Sequence, residues 1–356
     1  MILSLETTNA CNLRCLHCMR DKLEDRRFIP LDVVQKVLRE AKTYGIWFVS
    51  LTGGEPTLHP QLEELLETIA GEDFNFRLIT NGFQFKSKVL PILLRPHIKK
   101  HLQHVSISLD GATAKTHDAN RGEGAFKTSM EMLSLCKLKE IPFNLMTVVN
   151  NFNKSELTDI ALLGSSLGTL AHFFGPLHVT PSSIREAIVP PPDETKRLMS
   201  FITRTLVKEL KVPIVVGSGA YCSAPLIDCN VFKGELLHVD FLGNAIFCCT
   251  VTHPTDEGKP DDLGEEVLAD LKCEPLGTAI VRQRLLIAKM IEERVRAHDA
   301  GTLSELDHFP CHWCFERFGK LGWLESYPES PWSASVHKGQ LEDSVDKEMA
   351  CRVVDA

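Results

Sequence analysis

Long apolar runs and clusters of basic residues are both missing from this chain. No apolar run approaches the roughly 18 residues that a membrane-spanning helix needs, and the first residues lack the pattern of a signal peptide. The formal net charge of −8 disfavours a nucleic-acid partner, because a phosphate backbone calls for a basic patch. We therefore expect a cytoplasmic protein that binds neither a membrane nor nucleic acid.

Cysteine is abundant by contrast, with 12 among 356 residues. Because a reducing compartment keeps thiols free, this number favours metal clusters over a disulfide framework. Cys11, Cys15 and Cys18 form a CX3CX2C pattern that holds three thiolates in one tight loop. Soft thiolates select iron–sulfur clusters or zinc, and three of them leave one iron of a cubane cluster open to a further ligand. The alternative is a zinc knuckle with His17 or a distant cysteine as fourth ligand.

A second motif follows a predicted buried strand over residues 49–52. It is Gly53-Gly54-Glu55-Pro56, in which the glycines let the backbone approach a ligand closely. Together with CX3CX2C, this motif resembles the signatures of the radical S-adenosylmethionine (radical SAM) superfamily. The resemblance implies a [4Fe–4S] cluster whose open iron binds SAM, and reductive cleavage of SAM to a 5′-deoxyadenosyl radical. It also implies that the Gly54 carbonyl and the Glu55 carboxylate accept hydrogen bonds from the SAM amino group.

Strand-like and helix-like runs alternate over the first two-thirds of the chain, which is typical of βα units and a parallel sheet. Strands are predicted at residues 2–6, 47–52, 75–80, 104–109, 143–149 and 170–174. Helices are predicted at residues 31–44, 61–70, 86–94, 125–139 and 155–167. These units predict an α/β fold in which residues 1–212 form a partial (β/α)6 barrel. The candidate loops then lie at the carboxyl ends of the strands, where such folds bind ligands.

Further candidates for binding SAM come from the turns after the third and fourth strands. Asn81 lies in a close-approach turn, Thr80-Asn81-Gly82. Residues 105–126 resemble the ribose and carboxylate region of radical SAM enzymes that modify peptides or mature sulfatases. That resemblance implies that Ser108 and Asp110 bind the ribose hydroxyls and that Arg121 binds the SAM carboxylate as a fork of donors. The alternative is that Asp110 and Arg121 are an ion pair in an exposed loop.

Beyond about residue 212 the alternation stops and a cysteine-rich segment follows. Cys229, Gly243 and Cys248 form a CX13GX4C pattern, with a hairpin predicted from strands at residues 236–240 and 245–247. Cys311 and Cys314 add a CX2C pair, so four thiolates are available for one closed shell.

This arrangement resembles the twitch domain, a shortened SPASM domain of radical SAM enzymes. The resemblance implies a small β-hairpin-plus-helix domain over residues 213–330 that binds one auxiliary [4Fe–4S] cluster. Because all four ligands of that cluster come from the protein, it would accept or relay an electron and would not anchor substrate. The alternative is a structural zinc site with four cysteines.

A polar tail over residues 331–356 completes the predicted organisation. Five cysteines belong to neither set, and an unligated buried cysteine is usually a small hydrophobic residue: Cys136, Cys222, Cys249, Cys273 and Cys351. His172, His178 and Arg185 lie where substrate-facing residues are expected, but lone histidines there are more often core residues. We therefore leave the general base unassigned.

The resemblance implies a radical SAM oxidoreductase or maturase that oxidatively modifies a peptide or a peptide-like natural product. One alternative is a dehydrogenase or epimerase of a small polar molecule, such as an amino sugar or nucleoside. A second alternative is an iron–sulfur or zinc scaffold without turnover. The expected partners are the substrate, a reductant such as flavodoxin or ferredoxin, and a separate protein that binds a leader peptide.

Overall fold

One ten-stranded sheet organises the computed structural model, which describes residues 1–19, 25–210, 214–217, 219–252 and 264–333. The strand order is β10-β9-β8-β1-β2-β3-β4-β5-β6-β7. The first seven strands follow one another in the sheet and run parallel, as strands joined by helical crossovers do. This arrangement confirms the predicted α/β partial barrel.

The elements of the barrel lie close to their predicted positions. The strands are β1 (Ile2–Glu6), β2 (Phe48–Thr52), β3 (Asn75–Thr80), β4 (Leu102–Ser108), β5 (Phe143–Val149), β6 (His172–Pro176) and β7 (Ile214–Val216). The helices are α1 (Leu31–Thr43), α2 (Leu62–Gly71), α3 (Leu90–Leu93), α4 (Pro96–Lys99), α5 (Ala114–Arg121), α6 (Ala125–Leu138), α7 (Leu157–Leu167), α8 (Pro181–Arg185), α9 (Pro192–Phe201) and α10 (Val207–Glu209). One turn of π-helix, Phe85–Val89, precedes α3, and another, Ile202–Leu206, joins α9 to α10.

The two faces of the barrel sheet differ in chemistry because side chains alternate along each strand. Leu3, Val49 and Phe76 occupy one row of the register, are fully buried, and belong to the apolar core beneath the helices. The next row, on the opposite face, contains Ser4, Ser50 and Arg77. The interior of the barrel therefore carries polar groups and is not filled by an apolar core.

The C-terminal segment extends the same sheet. Strands β8 (Leu236–Val239) and β9 (Asn244–Ile246) form the predicted hairpin around Gly243, whose φ of 87° suits glycine. Strand β8 pairs in parallel with β1, so the hairpin joins the open edge of the barrel. It is followed by β10 (Val267–Asp270), α11 (Leu276–Asp299) and α12 (Pro310–Arg317).

Two strands depart from the sequence expectations. The predicted alternation stops at about residue 212, but Ile214–Val216 forms a further strand, β7, and pairs with β6. Strand β10 was not predicted, and it pairs antiparallel with β9. Both strands are short, and their partners hold them in place more than their own sequence does.

The predicted domain boundaries remain predictions, and strands from both predicted domains belong to one sheet. Most of the predicted polar tail, and Cys351 with it, lies outside the described residues. At its start, however, Trp332 is buried and its Nε1 donates a hydrogen bond to the Pro190 carbonyl at 3.0 Å. Among the described residues, no helix is both long and apolar enough to cross a membrane.

Candidate functional site

The loop with the three cysteines is built directly onto the glycine motif that follows β2. The Gly54 N–H donates to the Thr8 carbonyl at 2.7 Å, and the Glu55 N–H donates to the Ala10 carbonyl at 2.7 Å. A Cβ on Gly54 would lie 2.1 Å from the Ala10 oxygen, which only glycine avoids. The sequence predicts that the backbone of the glycine motif lies close to a ligand. In the structure, this backbone lies close to the backbone of the cysteine loop.

The Glu55 carboxylate is buried in the hydrogen bonds of its own chain. It accepts hydrogen bonds from the Thr57 N–H at 3.1 Å, the Thr80 hydroxyl at 2.7 Å and the Asn81 N–H at 2.7 Å. Burial raises the pKa of Glu55, although these donors oppose the shift. Its observed role is to join the ends of β2 and β3, and its contact with the SAM amino group remains a prediction.

Asn81 connects the turn after β3 to the cysteine loop. Its Nδ2 donates to the Asn12 side-chain oxygen at 2.8 Å and lies 4.0 Å from the Cys11 sulfur. Pro56 begins a short 3-10 turn, Pro56–Leu58, and is buried. Ser108 ends β4, and its carbonyl accepts a hydrogen bond from the Ser129 hydroxyl at 3.3 Å. These residues lie at the carboxyl ends of neighbouring strands, as the sequence predicts.

Asp110 and Arg121 form an ion pair, but a buried one and not the exposed pair that the alternative interpretation expected. Arg121 Nε lies 2.5 Å from Asp110 Oδ2, and the Val148 N–H donates to the other carboxylate oxygen at 2.8 Å. Burial alone would raise the pKa of Asp110, but the Arg121 guanidinium and the Val148 N–H outweigh burial and lower it. The carboxylate is therefore ionised and already bound within the protein.

The same guanidinium reaches the cysteine loop. Arg121 Nη1 lies 4.0 Å from the Cys15 sulfur, and Nη2 lies 3.3 Å from His17 Nε2. Burial lowers the pKa of His17 to about 4, so its neutral ring accepts a hydrogen bond from Arg121. The Leu16 N–H also donates to the Asn120 carbonyl at 3.0 Å, which anchors the loop to the end of α5.

These contacts suit a loop that holds an iron–sulfur cluster. Hydrogen-bond donors lie close to two of the three sulfurs: the Leu13 N–H is 3.4 Å from Cys11, and Arg121 is near Cys15. Burial raises the pKa of both thiols, so an electropositive group such as iron is required to keep them as thiolates. Cys18 is exposed at the mouth of the loop.

The thiols of the predicted second set interact through their charges. The thiolates of Cys229 and Cys248 would raise the pKa of Cys311 and Cys314, which lie on the first turns of α12. Among the described residues, however, no group of three or more His, Cys, Asp or Glu side chains is placed to hold a metal ion as it stands. Burial is the larger cause of the rise for both cysteines of α12. Gly219 lies against this group, because a Cβ there would be 2.9 Å from the Cys311 sulfur. Whether these thiols bind a cluster or zinc remains a prediction.

A buried arginine beside this second set was not anticipated from the sequence. Arg294, on α11, is 1% exposed, and its Nε donates to the Pro225 carbonyl at 3.0 Å. Both Nη atoms are buried without a hydrogen-bond partner, and the guanidinium lies 5.1 Å from the centre of the Trp313 ring. Its charge interacts with Asp307 and, to a smaller extent, with Cys314 and Cys222. Unpaired donors beside four thiols fit a negatively charged cluster, whose sulfurs accept hydrogen bonds.

The cysteines outside both sets have varied surroundings. Cys249 forms a side-chain hydrogen bond with Cys248, and this is the main cause that lowers the pKa of Cys248 to about 6. Cys222 donates its N–H to the His308 carbonyl at 2.8 Å. Cys136 is buried in the core, where burial raises the pKa of its thiol to about 12, and Cys273 is exposed.

Two histidines near the last barrel strands behave as interior residues. His172 lies 2.9 Å from the Thr147 hydroxyl and stacks on Phe174, and burial lowers its pKa to about 3. His178 contacts the Phe315 ring edge-on, and burial lowers its pKa to about 4. Neither is in the charged form near neutral pH.

A cavity of about 570 Å³, which we call the barrel cavity, lies between the barrel interior and the second cysteine set. Arg77, Ser106 and Phe173 line it from the barrel, and Tyr221 and Cys229 line it from the C-terminal segment. Its size falls in the usual range for small-molecule and peptide side-chain pockets. The alternation of side chains along β3 could have indicated that Arg77 lies in the barrel interior. The sequence did not show which segment would form the other wall of the cavity.

Sequence comparison relates part of this chain to a known superfamily. Residues 5–164 match the Radical SAM superfamily, and this range covers the cysteine loop, the glycine motif and the Asp110–Arg121 pair. The match agrees with the resemblance found in the sequence motifs, over slightly less than half of the chain. The cofactors of that superfamily are a [4Fe–4S] cluster and SAM.

Three curated relatives each match slightly less than half of the chain. Mycofactocin maturase MftC of Mycobacterium ulcerans is 31% identical over 47% of this chain and 44% of its own length. The AdoMet-dependent heme synthase of Methanosarcina barkeri is 30% identical over 48% of this chain and 49% of its own length. The sporulation killing factor maturation protein SkfB of Bacillus subtilis is 29% identical over 44% of this chain and 38% of its own length. The chain therefore spans less than half the length of these relatives.

Solved structures share the fold over a larger part of the chain. Streptococcus suis SuiB bound to the precursor peptide SuiA has a TM-score of 0.56 at 16% identity, covering 70% of this chain and 59% of that one. Native anSMEcpe with bound AdoMet and the Kp18Cys peptide has a TM-score of 0.61 at 16% identity, covering 82% and 84%. At this identity the similarity shows the fold alone.

Proposed function

We propose that this protein is a radical SAM enzyme that oxidatively modifies a peptide or peptide-like natural product. The observation that carries the proposal is the position of the barrel cavity, with the barrel interior on one side and the second cysteine set on the other. A substrate in that cavity would lie against the barrel interior and beside Cys229 of the second predicted cluster site. The relatives whose names describe maturation, and the neighbours solved with peptides, support a peptide substrate.

Cys11, Cys15 and Cys18 would hold the first cluster, which with SAM supplies a 5′-deoxyadenosyl radical when both are bound. The chain's own contribution is to fix the loop, because Arg121, Asn81 and the Gly54 N–H hold it in one position. Asp110 keeps Arg121 charged and in place. In this proposal the Asp110–Arg121 pair supports the cysteine loop. Other groups that face SAM would bind its ribose and its carboxylate.

Cys229, Cys248, Cys311 and Cys314 would hold one auxiliary [4Fe–4S] cluster, which would supply an electron acceptor for oxidation of the substrate. Arg294 supports an anionic metal–thiolate site here, since its charge and its two free Nη groups suit sulfur acceptors, and the comparison of a cluster with zinc is left to the metal analysis. A reductant such as flavodoxin or ferredoxin and a separate leader-peptide-binding protein are further parts of the proposal. Free thiols and reduced clusters fit the cytoplasm.

A small polar substrate is the second candidate. This candidate is supported by the relative named AdoMet-dependent heme synthase, because the name of that relative does not describe a peptide product. The two candidates share the radical step and differ in what enters the barrel cavity.

The experiment uses the reconstituted, anaerobic protein with dithionite and SAM. Cleavage of SAM to 5′-deoxyadenosine tests the radical step. Short precursor peptides encoded beside the gene, and amino sugars or nucleosides, are then compared by mass spectrometry for a loss of two hydrogens. The double variant Cys311→Ala/Cys314→Ala should still cleave SAM but should not give the oxidised product. Equal product from this variant would contradict the role of the second site.

A further inference from the structure

Arg77 is an arginine in the interior of the barrel, at the middle of β3. In the register it stands between Ser50 of β2 and His104 of β4. Its neighbours on the same strand, Phe76 and Leu78, are fully buried on the opposite face beneath the helices. The guanidinium therefore lies on the polar face and lines the barrel cavity.

Only one contact fixes this guanidinium within the described residues. Its Nε donates to the Ser50 hydroxyl at 2.7 Å, and no carboxylate of the described chain forms an ion pair with it. Arg121, the other arginine inside the barrel, has the Asp110 carboxylate as its partner. A guanidinium removed from water without an anion is costly, and proteins usually supply one. No carboxylate of the described residues supplies one for Arg77, and the acidic group there whose charge interacts with it is the Cys249 thiol.

The other charged groups around the cavity do not supply that anion. Asp228 and Lys233 both line the cavity, but they form an ion pair with each other. His104 is neutral, because burial and the charge of Arg77 lower its pKa to about 4. The remaining polar wall includes the neutral side chains of Ser106, Tyr221 and Asn230, together with Cys229, a predicted ligand of the second site. Arg77 is thus a cation of the cavity that no carboxylate of the described residues pairs with.

We propose that Arg77 binds a carboxylate of the substrate, with its two Nη donors directed into the barrel cavity. This inference rests on the proposed function and narrows it to substrates that carry a carboxylate, either at a peptide C-terminus or on an Asp or Glu side chain. Since Ser50 occupies the Nε donor, it sets the orientation of the guanidinium fork. A planar fork of donors matches a carboxylate better than a point charge does, so lysine should not replace arginine fully.

The test measures binding of three small probes to the anaerobic, reconstituted protein by isothermal titration calorimetry. N-acetyl-glutamate α-amide carries a side-chain carboxylate, N-acetyl-glycylglycine carries a C-terminal carboxylate, and N-acetyl-glutamine α-amide is the neutral control. We expect at least one carboxylate probe to bind and the neutral probe to bind at least about tenfold more weakly. Arg77→Gln should weaken the carboxylate probe by about 10- to 100-fold, and Arg77→Lys by less.

The matched control is Arg39→Gln, which removes an arginine of the same charge from the exposed surface of α1, where Arg39 pairs with Glu72. It should bind the probes as the wild type does. Circular dichroism of each variant confirms that the fold is retained, and Arg77→Lys provides the comparison if Arg77→Gln does not fold. Which carboxylate probe binds more tightly decides between a C-terminal and a side-chain carboxylate.

Three outcomes would overturn the proposal: no binding of either carboxylate probe, equal binding of the neutral probe, or unchanged binding in both Arg77 variants. Inorganic phosphate is a fourth probe. If phosphate binds and the carboxylate probes do not, the assignment of Arg77 as a carboxylate site is wrong. Cleavage of SAM by the wild-type protein is measured in parallel. Probe binding without SAM cleavage would contradict the proposed function and leave the anion site standing.

Discussion

Asp110 and Arg121 form a buried ion pair beside the cysteine loop, with Arg121 Nε 2.5 Å from Asp110 Oδ2. The pair links the end of β4, the end of α5 and Cys15 through a single guanidinium. Both residues lie within the range that matches the superfamily. Their geometry gives them a supporting role at the first cluster site, because their polar atoms face each other and the loop.

Substitution of one partner of this pair should be strongly destabilising. Asp110→Asn leaves the buried Arg121 charge without its counter-ion, and loss of one partner from a buried pair typically costs about 3–5 kcal/mol. We expect a decrease of that size in the free energy of unfolding, measured with urea, together with weaker retention of the first cluster.

The control for Asp110→Asn is Arg95→Gln. Arg95 is exposed and pairs with Glu63 and Glu67 at the surface, so its loss should leave the free energy of unfolding almost unchanged. If the two variants lose similar amounts of stability, the Asp110–Arg121 pair does not support the loop.

Gly54→Ala should displace the cysteine loop. The new Cβ would be 2.1 Å from the Ala10 carbonyl oxygen, well inside van der Waals contact, so the loop backbone must move. We expect the reconstituted variant to lose the iron of the first cluster, about four of eight atoms, while the second site keeps its own. The measurement is iron and acid-labile sulfide per chain.

Gly71→Ala is the matched control, because a Cβ on Gly71 meets no atom within 4 Å. Its iron content should equal that of the wild type. A Gly54→Ala protein with full iron content would show that the contact between the glycine motif and the loop is dispensable.

Arg294→Gln should lower the midpoint potential of the auxiliary cluster. Removing a buried positive charge beside Cys314 makes the reduced, more negative cluster less stable. We expect a decrease of about 60 mV, the one-electron equivalent of ~1.4 kcal/mol, in a redox titration followed by electron paramagnetic resonance.

Arg296→Gln serves as the control for that titration. Arg296 lies on the same helix but is exposed and pairs with Glu292. If the wild type and both variants have the same midpoint potential, the charge of Arg294 does not stabilise the reduced cluster.

Local patterns predicted the fold well. Apolar residues at helical spacing, such as Val34, Val37 and Leu38, define α1, and the alternation of elements gave the parallel order of the first six strands. The placement of β8 beside β1 was not predictable, because that pairing joins residues more than 230 positions apart. Strand β7 was missed because three residues carry too little pattern.

Cysteine spacing predicted four thiols for the second set, and this remains a prediction that the charge interactions of Cys229 and Cys248 with Cys311 and Cys314 support. Side-chain partners were harder to predict. Glu55 and Asp110 accept hydrogen bonds from backbone N–H groups of other parts of the chain, which the sequence did not indicate, and their contacts with SAM remain predictions. Such partners depend on tertiary packing, and the sequence shows only the residue types. For the same reason the sequence did not indicate Arg77 or Arg294. Arg77 matters because no carboxylate of the described residues pairs with it, and Arg294 because its buried Nη atoms have no hydrogen-bond partner there.

The count of iron and sulfide in the anaerobically reconstituted protein tests the central claim most directly. Two cubane clusters predict about eight irons and eight sulfides per chain, with about four of each in a Cys11→Ala/Cys15→Ala/Cys18→Ala variant. About four irons together with one zinc in the wild type would contradict the account, because the second site would then be structural and could not accept an electron.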